Sequence, residues 1–188
     1  ALCKGDVAWL RLPRRPPHVR FAGAVAQGVA ELVTNTMCPF AQKAWVALEE
    51  SSVPYSTREI SLYGANGKPS WFLELNPKGE IPVLLTANRQ AVVDSERILD
   101  WVAEQDPGMA PANIDAATAW RRCVSGRVAP TGKRRVLLGG AGGEDLNKAL
   151  VELDEILRST PGDYAAGETF SVADAAAVPF VQRLSEEF

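Results

Sequence analysis

One strand-to-helix junction constrains the fold of this chain more than any other stretch. Residues 29–33 are β-branched and apolar at alternate positions, which predicts a half-buried strand. After the junction, Phe40, Ala44 and Leu48 recur every four residues, the spacing of an amphipathic helix. Cys38 lies between the two patterns, and Pro39 suits a first helical turn because its missing N–H costs nothing there. The sequence therefore places a cysteine where a strand turns into a helix.

The position of Cys38 predicts a reactive thiol. The first turn of a helix has unpaired backbone N–H groups and the positive end of the helix dipole, and both favour thiolate over thiol. Residue 41 is alanine, so the motif is not C-x-x-C and Cys38 has no resolving cysteine three residues on. A lone thiol of this kind needs an external thiol to complete a reaction cycle. The structural alternative is a small buried hydrophobic residue at a helix start.

Composition limits the class of protein. The 188 residues are 46% hydrophobic with a formal net charge of −3, which predicts a globular core and argues against nucleic-acid binding. No apolar run approaches the roughly 18 to 20 residues that a transmembrane helix needs. The three cysteines are too sparse for a secreted disulfide framework. We expect a reducing compartment, either the cytoplasm or an organelle interior such as the plastid stroma, with Cys123 as a core residue.

Residues 1–28 form a basic, proline-rich extension. The first thirty residues contain five lysine and arginine residues but only one acidic residue, Asp6. The segment is interpreted as a surface extension, a transit-peptide remnant or a docking arm for a larger complex. His18, the single histidine, has no cluster of ligands around it, so no metal is expected. Because the chain begins with Ala1 rather than methionine, processing or an incomplete chain is expected.

The elements after the first helix complete an α/β domain over residues 29–103. Strand patterns cover residues 55–62, 80–85 and 91–94, and a short helix capped by Ser70 precedes the second of these. A further helix opens at Asp94 and Ser95. The order is β-α-β-α-β-β-α, which is that of a thioredoxin-like domain.

The second half of the chain is predicted to be helical. A linker at 104–112 leads into an all-α domain over 113–188, which is short and expected to be incomplete. Its predicted helices begin at Ile114, Asp145 and Ser171 and end near residues 128, 157 and 184. Between them lie a basic turn at 133–135, a weak strand pattern at 136–138 and a flexible glycine connection at 139–143.

Several motifs together resemble one family, the glutathione transferases whose catalytic residue is cysteine. The similarity is to the omega, lambda and dehydroascorbate-reductase classes. It extends from about Val29 to Leu184, with the motifs in the expected order. The motifs are Cys38-Pro39-Phe40, Lys68-Pro69-x-Trp71-Phe72, Asn76-Pro77-x-Gly79-x-Ile81-Pro82-Val83-Leu84, Asp94-Ser95 and Thr169-Phe170-Ser171-Val172-Ala173-Asp174.

The resemblance implies a glutathione site with Cys38 as the nucleophile. Ile81, before a cis Pro82, would offer its backbone to the cysteinyl part of glutathione, while Asp94 and Ser95 would hold the γ-glutamyl end and Lys68 the glycine carboxylate. Phe40 is also assigned to the glutathione site. Asp94 stands where the family has glutamate or glutamine, one methylene longer, and this shortening is expected to affect affinity.

The predicted function is glutathione-dependent thiol transfer or reduction, with dehydroascorbate or a glutathione mixed disulfide as the oxidised substrate. Glutathione is the co-substrate, no metal is expected, and the remaining partner is a small oxidised or electrophilic molecule. The alternative is a non-catalytic structural or accessory subunit that uses the same fold. Membrane insertion is not expected, whereas a homodimer or docking through the basic extension is left open.

Overall fold

The computed structural model describes residues 28–62, 67–137 and 143–187. The predictions for the basic extension up to residue 27, with Cys3 and His18, lie outside this part of the chain, as do residues 63–66, 138–142 and 188. The elements are β1 Ala30–Thr34, α1 Pro39–Glu50, β2 Tyr55–Glu59, α2 Ser70–Leu75, β3 Val83–Leu85, β4 Ala91–Val93, α3 Ser95–Gln105, α4 Ile114–Cys123, α5 Ala129–Leu137, α6 Gly143–Ser159 and α7 Val172–Glu187.

The four strands form one mixed sheet in the order β2-β1-β3-β4. Strand β1 pairs parallel with β2 and antiparallel with β3, and β3 pairs antiparallel with β4. This confirms the β-α-β-α-β-β-α order of a thioredoxin-like domain. Leu32 and Leu84 pack against α1 and α3, whereas Val33 and Val83 pack with Phe72 of α2. Helices therefore cover both faces of the sheet.

The prediction of a half-buried β1 was wrong, because all five of its residues are buried. Glu31, the acidic residue of this strand, is 2% exposed. Its carboxylate accepts from Nε of Arg58 on β2 at 2.6 Å and from a guanidinium nitrogen of Arg89 in the β3–β4 loop at 2.9 Å. Two cations, from parts of the chain distant in sequence, thus compensate the burial of one charge.

Other boundaries also differ from the pattern-based ones. Strand β2 stops at Glu59 rather than residue 62, and β3 begins only after the cis Pro82. Ser70 is the first helical residue of α2 rather than its cap, and Pro69 precedes it without a side-chain capping bond. Within the predicted linker, α3 continues to Gln105 and a 3₁₀ turn covers Pro107–Met109. The domain boundaries themselves stay a prediction.

The helix predicted to end at residue 128 continues to Leu137. A π-helical turn at Val124–Val128 joins α4 to α5, and the N–H of Ala129 donates to the carbonyl of Val124. The wider turn lets Pro130, which has no N–H, enter the first turn of α5. The predicted basic turn at 133–135 and the strand pattern at 136–137 were therefore wrong, since both lie in α5.

Helix α7 joins the two hydrophobic cores. Val172, Ala175 and Ala176 belong to the core beneath the sheet, whereas Phe180 and Leu184 pack with α4 and α6. The predicted cap of this helix is confirmed. Ser171 Oγ accepts from the N–H of Ala173 at 3.2 Å, and Asp174 Oδ2 accepts from the N–H of Ser171 at 2.9 Å. Among the described residues, no helix is both long and apolar enough to cross a bilayer.

Candidate active site

Cys38 lies at the predicted junction, immediately before the first helical residue, Pro39. The residue is 7% exposed and packs with Ile60, Phe72 and Ile81. Its side chain makes no capping hydrogen bond to the helix N–H groups. The sulfur instead lies 3.9 Å from the carbonyl oxygen of Ile81. Cys38 therefore retains its position at the helix N-terminus while its thiol faces the strand across from it.

Asn35 shapes the turn that carries Cys38. Its Nδ2 donates to the carbonyl of Ile60 at 2.8 Å, and its Oδ1 accepts from the N–H of Met37 at 2.9 Å. The N–H of Cys38 donates to the carbonyl of Asn35 at 3.1 Å. Sequence reasoning missed this role, although asparagine commonly bonds the backbone two residues on in turns. The side chain thus ties the turn both to itself and to the end of β2.

Sheet register brings the candidate site residues to one end of the sheet. Val83 pairs with both Val33 and Val93. The residues that follow β1, precede β3 and follow β4 therefore lie at the same edge. These residues are the turn with Cys38, the cis-bonded Ile81 and Pro82, and the pair Asp94 and Ser95. The cis peptide bond implied by the resemblance is confirmed.

Lys68 approaches this end from the loop before α2. Burial lowers the pKa of Lys68, and a negative charge at Cys38 would oppose that shift. Its Nζ donates to the carbonyl of Ser61 at 2.9 Å and lies 5.7 Å from the ring centroid of Phe72. Its predicted role toward a carboxylate remains a prediction.

Asp94 caps α3. Its φ is +86°, and its Oδ1 accepts from the N–H groups of Glu96 at 2.7 Å and Arg97 at 3.4 Å. Ser95, the first helical residue, is 7% exposed. One carboxylate oxygen of Asp94 is thus engaged by its own helix, and the predicted contact with an α-ammonium group stays a prediction for the other.

Phe40 is half-exposed beside Cys38 and joins the two halves of the chain. Its ring meets the ring of Phe180 on α7 edge to face, with centroids 5.3 Å apart. The aromatic pair forms an apolar boundary next to the thiol.

Comparison with known proteins agrees with this geometry. Residues 37–105 match the family model for the glutathione S-transferase N-terminal domain. The match begins one residue before Cys38 and ends with the last residue of α3. It therefore contains Cys38 and the other residues assigned to the glutathione site.

Similarity to known proteins extends beyond residues 37–105. The chain is 28% identical over 171 residues to glutathione S-transferase omega-1 of Sus scrofa, covering 86% of this chain and 70% of the relative. It is 27% identical over 164 residues to glutathione S-transferase DHAR2 of Arabidopsis thaliana, covering 85% and 72%. The structure of glutathione transferase Omega 1C from Trametes versicolor superposes with a TM-score of 0.71 at 25% identity, covering 86% of this chain and 74% of that one. The similarity in fold thus extends to the helices that follow residue 105.

A charged network that the sequence did not indicate is centred on Glu96, the residue after Ser95 of the candidate site. Glu96 pairs with Lys43 of α1, accepts from Ser125 Oγ at 2.6 Å, and accepts from Nε of Arg121 at 2.7 Å. Lys43 is 1% exposed. The four groups, which we call the Glu96 network, come from α1, α3, α4 and the π turn. Their sequence separation gives no local pattern by which they could be recognised.

Within the Glu96 network, the pKa values of both Glu96 and Lys43 are lowered. Burial alone would raise the pKa of Glu96, but Lys43, Ser125 and Arg121 together hold it below its usual value. Burial lowers the pKa of Lys43, and its pairing with Glu96 offsets this only in part. Three donors thus stabilise the charged form of Glu96, whereas burial disfavours the charged form of Lys43 more than its partners stabilise it.

The other chemistry-bearing residues behave as structural ones. Cys123 is 2% exposed in the helical core, with its sulfur 3.5 Å from the carbonyl of Ala149, which confirms its prediction as a core residue. Burial raises the pKa of the Cys123 thiol. Within the described ranges, no group of three or more His, Cys, Asp or Glu side chains is placed to hold a metal ion. Cys38 is therefore the thiol that the fold places at the candidate site.

Proposed function

We propose that this chain is a glutathione-dependent thiol transferase or reductase in which Cys38 is the nucleophile. The observation that carries the proposal is the position of the Cys38 sulfur. It lies 3.9 Å from the carbonyl oxygen of Ile81, the residue immediately before the cis Pro82. A peptide backbone at this place can pair with an extended tripeptide and bring its sulfur to Cys38. Similarity to omega-class relatives supports the same activity.

The proposed cycle has two steps that balance. The Cys38 thiolate attacks the glutathionyl sulfur of a mixed disulfide, forms a Cys38–glutathione disulfide, and expels the substrate thiolate, which takes up a proton. A second glutathione thiolate then attacks the glutathionyl sulfur, releases the Cys38 thiolate and leaves as glutathione disulfide.

With dehydroascorbate, the Cys38 thiolate adds to a carbonyl carbon, and one glutathione then attacks the Cys38 sulfur. The Cys38–glutathione disulfide forms as ascorbate leaves as a monoanion with the proton of that glutathione. A second glutathione thiolate releases the Cys38 thiolate as in the first cycle. A free thiol in this cycle requires a reducing compartment.

The proposed glutathione site uses the groups assembled at the sheet end. Lys68 would pair with the glycine carboxylate, as the resemblance implies. Ser95 would bind the γ-glutamyl carboxylate, with the oxygen of Asp94 that does not cap α3 toward the ammonium. Ile81, Pro82 and Phe40 would line the space between these ends.

The alternative is an accessory subunit without catalysis. It is favoured by Asp94, since Oδ1 of this short carboxylate is already used to cap α3. A subunit of this kind would keep the fold and the buried cysteine without turning over substrate. A homodimer and docking through the basic extension stay predictions under either function.

An activity profile separates the two functions. Purified protein should reduce dehydroascorbate and a glutathione mixed disulfide in the presence of glutathione, coupled to glutathione reductase and followed by NADPH oxidation. Conjugation of glutathione to an aryl halide should stay near the uncatalysed rate, because a cysteine attacks sulfur itself rather than activating the thiol of glutathione. Background rates with both oxidised substrates would contradict the proposed enzyme and favour the accessory role.

A further inference from the structure

Helix α7 reaches the turn before Cys38 through one guanidinium group. One terminal nitrogen of Arg183 donates to Oε1 of Gln42 at 2.6 Å and to the carbonyl of Pro179 at 2.9 Å. The other donates to the carbonyl of Met37 at 3.3 Å. Gln42 in turn donates its Nε2 to the carbonyl of Thr36 at 2.6 Å. Arg183 and Gln42 thus hold the carbonyls of the two residues that precede Cys38.

The carbonyl of Met37 matters because it belongs to the peptide unit that joins Met37 to Cys38. A peptide unit is planar, so fixing the direction of its carbonyl fixes the plane from which the Cys38 backbone continues. The turn is exposed, with Met37 73% accessible, and apolar packing does little to hold it. On its other side, the N–H of Thr36 donates to a carboxylate oxygen of Glu59 at 3.3 Å. The turn is therefore set by polar contacts on both sides.

Arginine suits this place through its shape rather than its charge alone. Its planar fork donates from both terminal nitrogens in fixed directions, which a single ammonium does not reproduce. The carbonyl of Pro179, one turn earlier on α7, anchors the fork to its own helix. The position of α7 is thereby transmitted to the Met37–Cys38 peptide.

We infer that Arg183 is a positioning residue, which, together with Gln42, holds the Met37–Cys38 peptide and so aims the Cys38 thiol. The inference rests on the proposed function in one respect, since it takes Cys38 as the reacting thiol. The pair is called the Arg183–Gln42 clamp below. Through these contacts, a residue of the helical half of the chain sets the orientation of the Cys38 thiol in the sheet domain.

The test combines thiol reactivity with turnover in Arg183→Met, Arg183→Lys, Gln42→Leu and the double variant Arg183→Met/Gln42→Leu. Alkylation of Cys38 by iodoacetamide is followed by peptide mass spectrometry, and labelling of the buried Cys123 reports unfolding. Arg158→Met, an exposed arginine of α6 paired with Asp154, is the matched control and should leave both readouts unchanged.

A loosened turn should expose Cys38 and misplace it. In Arg183→Met we expect alkylation of Cys38 to rise by about threefold while kcat falls by about tenfold, with KM for glutathione within about twofold of its starting value. Arg183→Lys should behave like Arg183→Met, since charge alone does not rebuild the fork. Gln42→Leu should match them, and the double variant should be no worse than either, because both changes break one unit.

Two results overturn the clamp. One is an unchanged alkylation rate of Cys38 in Arg183→Met, and the other is full recovery of both readouts in Arg183→Lys, which would assign the effect to charge. If Arg183→Met labels Cys123, Gln42→Leu decides on the same criteria. If the unaltered protein shows no turnover, the proposed function fails while the alkylation rates still decide the clamp.

Discussion

Cys38→Ser is expected to lower the rate of glutathione-dependent reduction at least about 10³-fold, because a serine hydroxyl at neutral pH neither attacks a disulfide nor forms one. Cys38 is 7% exposed, and because serine is nearly isosteric with cysteine, the packing around the residue should be kept. The measurement is kcat/KM in the assay coupled to glutathione reductase, beside an unfolding curve that shows the variant is folded.

The matched control for that variant is Cys123→Ser. Cys123 is buried in the helical core beside the carbonyl of Ala149, where a hydroxyl can donate in place of the thiol. Its substitution should change the rate by less than about twofold. Equal loss in the two variants, or full activity in Cys38→Ser, would remove Cys38 from the mechanism.

Glu96→Gln is expected to lower the free energy of unfolding by about 3 kcal/mol at neutral pH, because it leaves the ammonium of Lys43 buried without its carboxylate. The value is at the low end for a broken buried pair since the Glu96 side chain is 31% exposed. Denaturant unfolding followed by circular dichroism measures it. Lys43→Met/Glu96→Gln should recover at least half of the loss, because no uncompensated ammonium remains.

The pH dependence of the same difference has a definite sign. The pKa of Glu96 is lowered in the folded state, so its contribution is complete above the ordinary value of 4.5 and is lost as the pH falls through the folded value. The gap between the unaltered protein and Glu96→Gln should therefore shrink below about pH 4.5. Asp100→Asn is the control: it removes the more exposed partner of Arg121 and should cost less than about 1 kcal/mol. A gap that widens in acid would contradict the charge assignment of the Glu96 network.

Local patterns predicted the elements well where one face of an element meets the core. The four-residue spacing of Phe40, Ala44 and Leu48 correctly located α1, and Ser171 with Asp174 correctly located the start of α7. The motifs that resemble glutathione transferases located the cis Pro82, which no periodicity marks. These features depend on residues within a few positions of one another.

The errors have a common physical cause, which is compensation from distant parts of the chain. Glu31 is buried because Arg58 and Arg89 pair with its carboxylate, although the alternating pattern predicted a strand that is only half-buried. Lys43 is buried because it pairs with Glu96, which lies 53 residues further along the chain. The wider π turn admits Pro130, a residue that reads as a helix stop when taken alone. None of these partners is visible in a short window of sequence.

In the candidate site, too, local motifs could be predicted from the sequence, whereas contacts from distant residues could not. Cys38, Ile81, Pro82 and Ser95 could be proposed from motifs, and sheet register brings their segments to one edge. Asn35 and the Arg183–Gln42 clamp, which hold the turn before the thiol, were not predicted. They bond mainly to backbone groups, including the carbonyls of Ile60, Thr36 and Met37. Contacts to carbonyls leave little trace in side-chain patterns, since every residue has a carbonyl.

The most direct test of the account is to map the glutathione adduct. The reduced protein is treated with glutathione disulfide, digested without reductant and analysed by mass spectrometry, and a second portion is treated with fresh glutathione before digestion. The account predicts one glutathione per chain, linked by a disulfide to the peptide that contains Cys38 and removed by fresh glutathione. An adduct absent from Cys38, or one on Cys38 that fresh glutathione does not remove, would contradict it.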